Sequence, residues 1–291
     1  MNKVPLPVGL TDVCGEGGSG KTQLALSLCV QCALRGQRAI YICAQGEGPI
    51  LSRLKQLTGN DYAILNKILT RKIHSIEELM DFVKKGLVEM VCKNYTSGST
   101  STSDDDIGIV VIDSIGGLFR NESNENILLE SSSSVDNYAS GRSSKEHVRR
   151  SGILFYIAAK LKKLSLQYKM HIVTINQVSA SFGKCVSGHH VIAALGMAWS
   201  NCVNARVLLE RKETIERFDQ QRESPGTTAR HGYSESETRD SLSCRSDRGN
   251  NSGAIGKTMF RRYLHIILSS HLPQISVEYR IYTEGVKVVP A

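Results

Sequence analysis

At 291 residues, with 41% hydrophobic and 22% charged side chains, the chain can form one large domain or two small ones, and its polar residues gather in stretches that leave enough apolar sequence for a core. A net charge of +8 points to an anionic partner, nucleic acid first, although a basic protein without such a partner fits the charge as well. No run approaches the roughly 20 consecutive apolar residues of a membrane helix, Met1 to Leu10 lacks the apolar centre of a signal peptide, and the eight cysteines, set mostly in apolar segments, do not make a secreted disulfide framework. The composition therefore reads as soluble and intracellular, with no membrane.

In chain order, Gly9 to Cys14 ends as a short strand, and Thr22 to Leu34 is a helix with few polar positions, hence buried. Cys29 and Cys32 form a C-x-x-C on that helix. No second pair stands at zinc spacing, so buried reduced thiols are the reading and a metal or redox site the alternative. Ala39 to Cys43 is a continuous apolar strand, the pattern of an inner parallel strand. Ile68 to His74 is a weaker strand, after which Ser75 opens a helix with Glu78 three residues on, a capping-box pattern. Ile76, Leu79, Met80, Val83, Leu87 and Met90 continue it at helical spacing. Tyr95 to Asp106 is Ser/Thr/Asp-rich and reads as a loop; Ile107 to Ile112 is the most apolar strand.

Asn121 to Ser144 is again polar, Lys145 to Tyr168 is a long helix, and His171 to Ile175 a strand. Val203 to Leu209 is a strand. Glu213 to Gly256 is dense in Ser, Arg, Glu and Gly and reads as disordered, because such a stretch buries too little surface to offset its ordering entropy. Tyr263 to Leu268, Val277 to Tyr282 and Val286 to Val289 close the chain as strands, with Gly285 in the last turn. Alternating strands and helices imply an α/β fold with a mainly parallel sheet flanked by helices and antiparallel strands at the C-terminal end. Residues 1–291 then form a single domain with polar insertions at about 95–106, 121–144 and 213–256.

The chemistry concentrates in Gly15-Glu16-Gly17-Gly18-Ser19-Gly20-Lys21-Thr22, which fits G-x-x-x-x-G-K-[ST] in full, after a strand and before a helix. Glycines let backbone N–H groups turn inward around phosphates, and the helix start adds its positive end. Lys21 supplies a mobile cation and Thr22 a hydroxyl for magnesium, so the expected cofactors are ATP and Mg2+. Asp113 ends the buried strand. A carboxylate there needs a cation or a donor, and a magnesium-linked role satisfies it, a strand-end cap being the bland alternative. The group that orients the attacking water should follow the second strand, where Gln45 and Glu47 stand; Glu47 is the only carboxylate there, and Gln45 can position water but is a poor base.

Taken together, the segments from Leu10 through the phosphate loop, Ala39 to Cys43, Ile109 to Arg120 and Ile172 to Val178 resemble the ATPase core of the RecA-type recombinases, with the eukaryotic recombinase paralogues the branch most like it. Leu195 to Arg211 and Tyr263 to Val286 narrow the resemblance to one paralogue type in its plant form. It implies a RecA-like P-loop NTPase core and an ATP-binding subunit of homologous-recombination repair of DNA double-strand breaks, in the nucleus and in meiosis. It implies partnership with the strand-exchange recombinase and with a second paralogue, the one labelled C, on single-stranded or branched DNA, with weak DNA-stimulated hydrolysis.

By the same resemblance, Lys21 and Thr22 match the phosphate and magnesium ligands, Asp113 the Walker B acid, and Gln177 the glutamine that senses the terminal phosphate. Arg120 matches the start of the first DNA-binding loop. The second loop runs from about Val178 to Ala194 and carries Phe182, Lys184, His189 and His190. Counting from Tyr41 puts Gln45 in the catalytic glutamate position, whereas anchoring on Pro49 and Arg53 puts Glu47 there. The family's helical N-terminal DNA-binding domain is expected to be missing, with only fourteen residues before Gly15.

On their own residues the DNA loops are weaker. Arg120, Lys184, His189 and His190 could each be solvated side chains; Phe119 reads as core and Phe182 as an exposed stacking residue. Two other readings stand beside the ATPase. One is a non-hydrolytic ATP-dependent structural adaptor of the paralogue complex, which Gln45 favours. The other is an unrelated phosphate-loop kinase, whose arginine-bearing lid would have to come from the one arginine-rich stretch, which reads as disordered.

Overall fold

The computed structural model describes residues 8–44, 48–96, 106–120, 139–180, 191–217 and 256–290. The chain enters with strand β1 (Gly9–Gly15), helix α1 (Lys21–Leu34) and strand β2 (Arg38–Cys43). Helices α2 (Gly48–Leu57) and α3 (Tyr62–Leu65) lead to β3 (Ile68–Lys72). Then come α4 (Ile76–Asp81), a π-helical turn (Phe82–Gly86) and α5 (Leu87–Thr96), followed by β4 (Ile107–Asp113), α6 (residues 115–120) and the long α7 (Ala139–Tyr168). Strand β5 (His171–Asn176) is followed by the short pair β6 (Val178–Ala180) and β7 (Val191–Ala193), and by α8 (Gly196–Ser200). Strands β8 (Ala205–Arg217), β9 (Gly256–Ser269), β10 (Ser276–Tyr282) and β11 (Gly285–Val288) complete it.

Nine of the described strands form one sheet in the order β11-β10-β9-β8-β1-β5-β4-β2-β3, and β6 and β7 pair separately. From β8 to β3 every pairing is parallel, and from β8 outward to β11 every pairing is antiparallel. The parallel strands with flanking helices are what the alternation of strands and helices predicts, and the whole order, with its antiparallel C-terminal strands, is the RecA-like core that the resemblance implies.

The inner strands are apolar throughout because both faces are covered. Successive side chains alternate faces: Ile40 and Ile42 pack on one side with Leu10, Val110, Ile112 and Ile172 against α4, α5 and α7. Ala39, Tyr41 and Cys43 pack on the other with Val111, Val173 and Ile175 against α1 and α2. Cys29 and Cys32 lie in this second layer, buried and unbridged, and burial raises both thiols, Cys32 to about 11.

Ser75 caps α4 as its sequence suggests, its hydroxyl accepting from Glu78 N at 3.2 Å. The reciprocal bond is displaced by one residue: the Glu78 carboxylate accepts from His74 N at 2.9 Å, not from Ser75 N. Several boundaries differ from those expected, four of them in the polar stretches. Helix α5 carries on to Thr96, inside the stretch read as a loop, and α7 begins at Ala139 rather than Lys145, so the polar stretch 121–144 ends in helix. Strand β8 runs past Leu209 to Arg217, and β9 begins at Gly256 rather than Tyr263, with Arg217 opposite Gly256. Composition misjudged the two ends of 213–256 because cross-strand backbone bonds and alternating side chains stabilise a ladder without a continuous apolar run. Residues 97–105, 121–138 and 218–255, the rest of the expected insertions, lie outside the described residues. No described helix is long and apolar enough to cross a membrane.

Candidate phosphate-binding site

The central strand β1 lies between β5 and β8 and delivers Gly15 to the C-terminal edge of the parallel strands, where open α/β sheets hold their ligands. The loop closes with Ser19 N donating to Glu16 O at 3.3 Å. Gly20 precedes α1 in the left-handed region at φ 98, and a Cβ there would stand 2.7 Å from Ile281 Cδ1 of β10. Only glycine meets both conditions. No side chain caps α1 and no acidic residue stands in its first turn, so the N–H groups that begin this helix are offered to an anion.

Lys21 folds back on the loop, its Nζ donating to the carbonyls of Gly15 and Glu16, each at 2.7 Å. Burial pulls the ammonium below the usual lysine value, while the charges of Asp113, Cys14 and Glu16 oppose that shift. The Thr22 hydroxyl donates to Asp113 Oδ2 at 2.7 Å, across ninety-one positions of sequence. Asp113 reaches it because β4 ends beside β2 and β5, with Cys43 and Ile175 as its ladder neighbours. The Asp113–Ser114 peptide is cis.

A residue the motif did not point to completes this corner. The fully buried Tyr41 donates its hydroxyl to the same Asp113 Oδ2 at 2.6 Å. Burial and the Asp113 charge push the phenol far above its usual range, so it remains a donor. A tyrosine inside an inner strand needs a partner for its hydroxyl, and that need is the signal the sequence carried.

The loop is braced from the antiparallel side as well. Tyr279 of β10 donates its hydroxyl to the Ser19 carbonyl, and burial raises that phenol to about 12. Arg53 of α2 donates to Gln23 of α1 at 2.6 Å and to the carbonyls of Tyr282 and Thr283 at 2.6 and 3.1 Å, tying two helices to the β10–β11 turn. Neither role is visible in the sequence, because these groups meet only through the sheet order.

Gln177 follows Asn176 at the end of β5. Its N–H donates to Asn176 Oδ1 at 2.9 Å, and its carbonyl accepts from Ala194 N at 2.8 Å, closing the base of the β6–β7 pair. The Asn176 amide nitrogen is fully buried and finds no hydrogen-bond partner among the described residues. Arg120 is exposed at the end of α6, whereas Phe119 beside it is core, with Arg150 over its ring at 5.3 Å. Gln45, Glu47, Phe182, Lys184, His189 and His190 lie outside the described residues.

A second buried polar cluster lies deeper in the sheet. Arg206 Nε of β8 donates to Asp12 Oδ2 of β1 at 2.9 Å, while Trp199 and Thr174 donate to Asp12 Oδ1 at 3.1 and 3.2 Å. Burial pushes the Asp12 carboxyl up, against the pull of Arg206 and the other donors.

Fold and loop together define a RecA-like core of the phosphate-loop NTPase class. The chain is 28% identical to the DNA repair protein XRCC3 homolog of Arabidopsis thaliana, with 97% of this chain and 87% of that protein covered. It is 23% identical to the DNA repair protein XRCC3 of Bos taurus over 97% of this chain and 69% of that one. It is also 27% identical to the DNA repair and recombination protein RadB of Methanobrevibacter smithii, over 70% of this chain and 74% of that one. No family model matches. The chain is thus similar to DNA repair and recombination proteins of the XRCC3 and RadB kinds, a likeness that supports a RecA-like paralogue.

Proposed function

We propose that the protein is an ATP- and magnesium-binding subunit of homologous-recombination DNA repair, with weak DNA-stimulated hydrolysis. The observation that carries the nucleotide reading is the convergence of Lys21, Thr22 and Asp113 at the mouth of an uncapped helix. The repair role rests on the similarity to proteins named for DNA repair and recombination.

The donor set fits a hard cation. Thr22 and Asp113 place a hydroxyl and a carboxylate oxygen 2.7 Å apart. Among the described residues no group of three His, Cys, Asp or Glu could hold a metal by itself. Magnesium commonly takes one or two protein oxygens and completes its shell with phosphates and water. When bound, it would neutralise charge developing on the terminal phosphates.

Lys21 would leave the Gly15 and Glu16 carbonyls for phosphate oxygens, which its flexible stem permits. Tyr41 would hold the Asp113 carboxylate toward Thr22, and Glu47 or Gln45 would orient the attacking water. Gln177, whose main chain closes the β6–β7 pair, would couple the terminal phosphate to the second DNA loop. Partners in this reading are the strand-exchange recombinase, the paralogue labelled C, and single-stranded or branched DNA, in the nucleus.

The test is ATP binding and turnover in one purified sample, with and without single-stranded DNA. Lys21→Ala is expected to weaken ATP binding on the order of 10-fold or more without loss of fold, because its contacts are to the loop's own carbonyls. Equal binding by parent and variant would remove the loop from the function. The second reading, a non-hydrolytic adaptor, is favoured by Gln45 standing where one alignment register places the catalytic glutamate. It predicts ATP binding without turnover, and no effect of Glu47→Gln.

A further inference from the structure

The arginines around the phosphate loop are of two kinds. Arg206 is bound to Asp12 and Arg53 to main-chain carbonyls, so both are committed to the fold. Arg211 is not. Among the described residues no carboxylate pairs with it, although Glu210 beside it holds both Lys212 and His265.

Its position follows from register. Leu209 of β8 stands opposite Gly15, and Val207 and Leu209 are buried on the side of the sheet that α1 covers. Two residues on, Arg211 returns to that face and reaches over the loop. Its Nη1 lies 2.6 Å from where a Cβ on Gly18 would stand, and Gly18 holds φ +74. A side chain at residue 18 would occupy the space the guanidinium now takes.

The guanidinium is held there from behind. Its carbon lies 4.0 Å from the centroid of the Phe260 ring. Phe260 sits diagonally across the β8–β9 ladder, opposite Glu213, while Arg262 faces Arg211. Stacking on an aromatic face leaves the N–H edges of an arginine free, and that planar fork matches phosphate oxygens. A second cation over the loop that Lys21 also contacts, with no carboxylate paired to it among the described residues, adds to a field that favours an anion.

We propose that Arg211 is a second phosphate-contacting cation of this site, reaching the phosphates of a bound nucleoside polyphosphate from β8 of the same chain. The proposal rests on the nucleotide reading above and adds the residue that reading does not contain.

The experiment measures ATP affinity in magnesium at two salt concentrations for the parent, Arg211→Ala, Arg211→Lys, Phe260→Leu and Lys21→Ala, with the melting of each nucleotide-free protein. Arg211→Ala is expected to weaken ATP binding about 10-fold and to flatten its salt dependence. Its melting should not change, since Arg211 is exposed. Arg211→Lys should recover part of the loss by restoring charge without the fork. Phe260→Leu should lose less than Arg211→Ala, because the cation remains without its platform. If Lys21→Ala loses ATP while Arg211→Ala keeps the parent's affinity and salt dependence, Arg211 is surface packing and the proposal falls alone. A folded parent that binds no ATP would overturn both the nucleotide reading and this one.

Discussion

Asp12 and Asp113 are the same residue on neighbouring regions of one sheet, and their surroundings differ in every respect that decides what a carboxylate does. Asp12 lies in mid-strand, fully buried, with an arginine on one oxygen and Trp199 and Thr174 on the other. Asp113 stands at a strand tip, partly exposed; among the described residues its side-chain hydrogen bonds come from the neutral donors Thr22 and Tyr41, both on the same oxygen, and the Lys21 ammonium interacts with it only through its charge. Among the described residues its other oxygen accepts no hydrogen bond. A charge closed off with its counter-ion serves the fold, whereas a charge held by neutral donors at an open edge keeps its field for a ligand.

The largest effect is expected of Asp12→Ala. It would leave Arg206 buried without its counter-ion, and the expected cost is about 3–5 kcal/mol of unfolding free energy, read by urea or thermal denaturation. A loss below about 1 kcal/mol would mean that the pair is tolerated by the core rather than holding it. Converting both Asp12 and Arg206 to apolar residues should recover much of the loss, because the penalty lies in the unpaired charge.

Asp113→Asn should act in the opposite place. It keeps the shape of the side chain and removes the charge, so stability should move by less than about 1 kcal/mol. The magnesium dependence of ATP binding should shift on the order of 10-fold toward higher metal. A stability loss as large as that of Asp12→Ala, with no effect of magnesium, would make Asp113 a second structural acid.

The smallest expected effect is that of Tyr41→Phe. It removes one donor to Asp113 and nothing from the packing, at about 1 kcal/mol of stability. Its value is in the comparison: if Tyr41 positions the carboxylate, the magnesium dependence of ATP binding should shift in the same direction as for Asp113→Asn, and by less. An unchanged magnesium dependence would leave the tyrosine a core residue with a satisfied hydroxyl.

Much of the site was legible because the phosphate loop is local: its glycines, lysine and threonine are contiguous, and the strand before and helix after it follow from short-range patterns. Asp113 was legible for a related reason, since a carboxylate ending an apolar strand must face something polar. Asp12 and Arg206 were not legible: each lies in a segment read only as a strand, and nothing in the sequence says that they meet. The polar stretch around 213–256 was misjudged at both ends, where pairing between β8 and β9 supplies the order that composition lacks.

The fold class, the family likeness and the glycine-rich loop proposed to take phosphates could be read from the chain alone, because periodicity, contiguous motifs and segment order are local properties of it. Tertiary structure decided which distant groups share a place: Tyr41 on Asp113, Tyr279 under Ser19, Arg53 across two helices and a turn, Arg211 over Gly18. Each depends on sheet order and register. These follow from how the whole core packs, and no window of sequence contains them.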